Sequence, residues 1–144
     1  MAKQLKLVLL FAAVSFILFT GFKKGDSASS PKSRPAGPVT ITAVFDFSTF
    51  PDVFGTFTTS GALTVSGPAE MVISPNNNGI RFHCIVTLTA PNGTIIIHQE
   101  CQFGSDPHKG RWEIVSGTGA YGNLKGNGSL LMPPNTEAME GTIY

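Results

Sequence analysis

The stretch Ile80–Phe103 constrains this chain more than any other. It reads IRFHCIVTLTA, then PNG, then TIIIHQECQF, two alternating runs around a turn. Ile80, Phe82, Cys84, Val86, Leu88 and Ala90 form one apolar series; Ile95, Ile97, Cys101 and Phe103 form the other, with Gln99 as the polar exception. A period of two means strands that each bury one face. Two such strands joined by a short turn are an antiparallel hairpin.

The two apolar series set the register. Even positions of the first run must face odd positions of the second, or one series would point to solvent. A connection centred on Asn92-Gly93 places Cys84 directly opposite Cys101. A three-residue Pro-Asn-Gly loop with a bulge is the competing turn chemistry, but it splits the two series between faces. The expected register therefore opposes the two cysteines. They form a disulfide worth about 3 kcal/mol if the compartment oxidises them, or two buried thiols behaving as small hydrophobes if it does not.

The N-terminus suggests such a compartment. Lys3 and Lys6 precede an almost unbroken apolar run, Leu7 to Phe22, which is short for a membrane span of ~20 residues but suits an export signal. Residues 1–30 are read as a signal peptide or, alternatively, as an uncleaved N-terminal anchor. Residues 31–38, rich in proline, are read as a linker. The fold is expected over 39–144, outside the cytoplasm: secreted or periplasmic, or held at a membrane by the N-terminus. A net charge of +1 offers no electrostatic footprint for nucleic acid.

The rest of the chain is also strand-like. VTITAVFDF (39–47), GTFTTSGALTVSG (55–67), Arg111–Val115, Leu124–Met132 and Glu137–Tyr144 each alternate or run short between turn residues. Ala69–Ile73 is ambiguous, Asn76–Gly79 is a turn, and GSDPHKG (104–110) is a loop. With 16 glycines, 10 prolines and only 13% charged residues, no long helix is expected. Seven strands, or eight, at this spacing form a sandwich or a closed barrel. The barrel is preferred because Gly61, Gly126 and Gly128 fall on inward positions, where they permit coiling or leave room in the lumen.

At 112–129 the chain reads WEIVSGTGAYGNLKGNGS. Gly117-Thr118-Gly119-Ala120-Tyr121, then Leu124, Gly126 and Gly128, resembles the G-T-G-x-Y-x-x-L-x-G-x-G stretch of the allene oxide cyclase and dirigent-like barrels. GTFTTSGAL (55–63) resembles an early strand of small exported members of that group. The resemblance implies an all-β, antiparallel eight-stranded barrel of the calycin-like type with an apolar lumen. It also implies action on, or orientation of, hydrophobic oxylipin or phenolic intermediates, and a homo-oligomer, often a trimer. None of that group's catalytic residues maps onto this chain by motif.

Candidate chemistry is sparse. Gly117, Gly119 and Gly122 spell a dinucleotide fingerprint, but Asn123–Gly128 cannot form the helix it requires; no cofactor is expected. In the expected register His83 faces Gln102 and His98 faces Thr87, about 13 Å apart at ~3.3 Å per residue. That is too far for one ion, and no metal is expected. His108 sits in a loop near Asp106. Inside the lumen Gln99 is the candidate ligand contact, joined at one mouth by Thr59, Tyr121 and Trp112. Outward Ile85, Ile96, Val44 and Val115 could mark a subunit interface. No ionisable group is placed on the inner face, so the expected function is an exported barrel that binds a small hydrophobic ligand without catalysis. The alternative is an allene oxide cyclase-like isomerase or cyclase.

Overall fold

The computed structural model describes residues 34–144, apart from 77, 78, 103 and 105. The export segment, the alternative anchor and residues 31–33 of the linker lie outside the described residues, as do Phe103 and the central two residues of the Asn76–Gly79 turn. Eight strands follow in chain order: β1 (Gly37–Asp46), β2 (Asp52–Gly61), β3 (Ser66–Pro75), β4 (Arg81–Ala90), β5 (Gly93–Gln102), β6 (His108–Gly117), β7 (Gly126–Met132) and β8 (Thr136–Ile143). Each pairs antiparallel with its neighbours, and β8 closes onto β1, so the sheet is a closed barrel of simple hairpin connections. Closure leaves no unpaired sheet edge.

The period-two pattern builds the core. Val39, Ile41, Ala43 and Phe45 on β1, Phe82, Cys84, Val86 and Leu88 on β4, and Ile95, Ile97, Gln99 and Cys101 on β5 all point into the lumen and are buried. Side chains from all eight strands fill that space, as the size of an eight-stranded barrel demands.

The expected single strand over 55–67 is in fact the end of β2, a reversal, and the start of β3. Thr59 explains the reversal. Its hydroxyl donates to the Leu63 carbonyl at 2.9 Å and accepts from the Val65 amide at 2.9 Å, while Gly61 takes a φ of 91°. Gly61 keeps the inward register, opposite Val39, but is exposed where the strand turns. The ambiguous Ala69–Ile73 belongs to a full strand, β3, with Ala69, Met71 and Ile73 buried. His108, Lys109 and Gly110, expected in a loop, begin β6.

The β4–β5 register keeps the expected parity but slips by two residues. Cys84 lies opposite Gln99 and Cys101 opposite Phe82; the expected direct pairing of the cysteines is not observed. The loop is Pro91-Asn92, with Ala90 paired to Gly93. Proline suits the first loop position because its φ is already fixed near −65°. Gly93 is used elsewhere: a Cβ on it would come 2.1 Å from the Thr118 carbonyl oxygen, and one on Gly119 would come 2.1 Å from the Asn92 oxygen. The Gly-Thr-Gly corner is thus clamped onto the hairpin tip. Thr118 Oγ1 accepts from the Thr94 amide at 2.9 Å, and the Ala120 amide donates to Asn92 at 2.9 Å.

The glycines of β7 and β8 have a separate cause. Trp112, Gly128 and Gly141 form one inward row across β6, β7 and β8. The two glycines let the indole lie against the wall, where Trp112 Nε1 donates to the Glu140 carbonyl at 3.3 Å. A Cβ on Gly141 would sit 2.7 Å from Trp112 Cζ2.

Candidate functional site at one mouth of the barrel

The two ends of the barrel differ. Leu63, Tyr121 and Leu124, all buried, close the end where the β2–β3, β4–β5 and β6–β7 connections meet. Thr59 lies at this end, its hydroxyl bound to the 63–65 reversal.

The other end, at the β1–β2, β3–β4, β5–β6 and β7–β8 connections, is open. It carries a cleft of about 520 Å³ lined by Phe47, Phe50, Ile73, Phe82, Asp106, His108, Met132, Pro133, Pro134 and Asn135. The sequence builds the cleft from chain breakers at strand ends. A 3₁₀ turn over Phe47–Thr49, whose first amides are approached by Asp46 (its carboxylate accepts from Ser48 N at 2.9 Å), holds Phe47 at the rim. Phe47 packs edge-on to Phe45 at 6.3 Å between ring centres, and Phe82 packs edge-on to His108 at 6.4 Å. Pro133 and Pro134 end β7 and form the opposite wall.

The lumen holds a polar pair, of which the sequence singled out Gln99 but not Glu137. Gln99 and Glu137 are both fully buried. They come from β5 and β8, three strands apart round the barrel, and Gln99 Nε2 donates to Glu137 Oε1 across the lumen. Met139 Sδ lies 3.3 Å from the same amide nitrogen. Gln99 Oε1 and Glu137 Oε2 have no hydrogen-bond partner among the described residues. Burial pushes the Glu137 carboxyl up to about 8, against the smaller opposing pull of the Gln99 amide. At neutral pH it is mainly a neutral acid. The expectation of an inner face without ionisable groups is therefore corrected. The signal was present: Glu137 shares the odd-numbered face of β8 with Met139 and Ile143.

Family profiles, curated proteins and solved structures give no match to this chain.

The remaining sequence candidates divide between the two ends. Trp112 is the direct partner of Gln99 on β6, and Cys84 its partner on β4, so these three share one band of the lumen with Glu137. Tyr121 and Thr59 belong to the closed end. The structure does not gather the four proposed ligand contacts at one mouth. Cys84 and Cys101 are buried free thiols. Cys101 hydrogen-bonds to Cys84 and, with burial and the nearby Glu137, pushes the Cys84 thiol up, away from the reactive thiolate.

The outer wall also differs from expectation. The two-residue slip puts His83 opposite Glu100 and His98 opposite Ile85, so the histidines are diagonal neighbours. Their rings stack with centroids 5.5 Å apart and planes 8° from parallel, not about 13 Å apart as the other register required. Among the described residues no group of three or more His, Cys, Asp and Glu side chains is arranged to hold an ion.

Proposed function

We propose that this chain is an exported binding barrel that takes up a small, largely apolar molecule at its open mouth. The observation that carries the reading is the cleft lined by Phe47, Phe50, Ile73, Phe82 and Met132, whose volume of about 520 Å³ lies within the usual range for small-molecule sites, ~300–1,000 Å³. Asp106, His108 and Asn135 at the rim would orient one polar end of such a molecule. The orphaned oxygens of Gln99 and Glu137 do not line this cleft; they are sealed among the side chains of the lumen. Export rests on the Leu7–Phe22 run.

The test is a thermal-shift panel of fatty acids, alkylphenols and polar controls. Apolar probes bearing one hydroxyl should stabilise the wild type most. Phe50→Ser should remove the shift while leaving the unliganded melting temperature near wild type, because Phe50 is 60% exposed. No shift with any probe would overturn the reading.

The buried acid supports a second reading, a cyclase or isomerase of the allene oxide cyclase type. Glu137 would act as a general acid toward an unsaturated epoxide that displaced some of the side chains filling the lumen. Turnover by the wild type and its loss in Glu137→Gln would establish that reading; no turnover by the wild type would remove it. The resemblance to that group also motivates a trimer, which sedimentation equilibrium would detect.

A further inference from the structure

We propose that His83 and His98, on the outer wall of β4 and β5, form a bidentate site for a borderline transition-metal ion such as Zn²⁺ or Ni²⁺. The site is separate from the mouth and owes nothing to the proposed ligand. Imidazole nitrogen selects these ions over Mg²⁺ or Ca²⁺, which prefer oxygen. The two rings are already side by side, with centroids 5.5 Å apart and planes within 8° of parallel. A tetrahedral zinc with Zn–N bonds of ~2.0–2.1 Å needs its two nitrogens roughly 3.3 Å apart. The change from one to the other is a tilt of the exposed His83 ring and the partly buried His98 ring about their own side-chain bonds.

The surroundings favour a cation. Glu100 is the direct partner of His83, and Glu113 the direct partner of His98. Glu113 Oε1 lies 3.6 Å from His98 Nδ1, on the side that would orient the ring and leave Nε2 for the ion. The Glu100 carboxylate is ion-paired with Arg111 at 2.6 Å. Arg111 is tied to Glu100, on the β6 side of that carboxylate. Water would complete the coordination from the solvent side.

The experiment is calorimetric titration of the untagged full chain with zinc chloride, repeated with nickel chloride. One ion per chain should bind with a dissociation constant in the micromolar range. His83→Ala and His98→Ala should each weaken it at least tenfold, and Glu113→Gln by a few fold, with far-ultraviolet circular dichroism unchanged. His108→Ala should bind as the wild type does. Absence of a saturable site, or single-histidine variants that bind like the wild type, would overturn the proposal.

Discussion

At the scale of single residues, two positions have consequences out of proportion to their size. Glu137 is the first. Its folded-state affinity for a proton is raised, from 4.5 to about 8. Below pH 4.5 folded and unfolded chains are both protonated there, and the carboxyl costs nothing. Between 4.5 and 8 the unfolded chain ionises while the folded one does not, so stability falls as pH rises and levels off above about 8. The loss across that window is on the order of 5 kcal/mol. Glu137→Gln keeps the shape, and should flatten the curve of denaturation midpoint against pH. A variant with the wild-type slope would show that the carboxyl is not responsible. Gly141 is the second. Gly141→Ala drives a Cβ to within 2.7 Å of the Trp112 indole, and should cost about 1–3 kcal/mol with a shift in tryptophan emission. Burial of Trp112 was legible in the alternation of β6. The glycines that accommodate it were visible only as residues on an inward series, without the ring that needs them.

At the scale of elements, the β4–β5 hairpin shows where sequence reasoning holds and where it fails. Parity was recoverable, because a slip by one residue would expose Cys84, Val86 and Leu88. A slip by two leaves every side chain on its own face, so the apolar pattern cannot distinguish the registers. The choice was made by Gly93, which packs against Thr118 on a distant connection. Thr118→Val should therefore cost about 1 kcal/mol, by removing the acceptor for the Thr94 amide, and should speed amide exchange at the hairpin tip more than elsewhere. Uniform exchange would mean that the corner does not hold the tip. The same hairpin shields its thiols. In reduced protein, Cys84 and Cys101 should resist an aromatic disulfide reagent until denaturant is added, and then both should react. Rapid reaction of either in the native state would contradict their burial.

At the scale of the whole molecule, closure is the dominant fact. β8 supplies Glu137, Met139 and Ile143 to the lumen and pairs with both β1 and β7. Ending the chain at Asn135 would open two sheet edges and remove three buried side chains. That truncation should abolish cooperative thermal unfolding altogether. A truncated chain with a sharp melting transition would mean that the seam is dispensable. The two ends of the barrel follow from closure as well: Tyr121, Leu63 and Leu124 seal one, while prolines and phenylalanines leave the other as an apolar cleft.

The alternation of apolar residues determined, without help, that this chain is built of antiparallel strands with one buried face each, because a period of two has no other physical meaning in a compact chain. Turn residues and the spacing of the runs carried the reading as far as a sandwich or a barrel, and the glycines on inward positions chose the barrel. Tertiary structure alone decided which of two equivalent registers formed, and so that the cysteines are diagonal and the histidines stacked. It also decided that Gln99 meets Glu137, since those residues lie on strands brought face to face only when the sheet closes. Contacts across a lumen leave no periodic trace in a sequence; they depend on curvature, and curvature belongs to the assembled sheet.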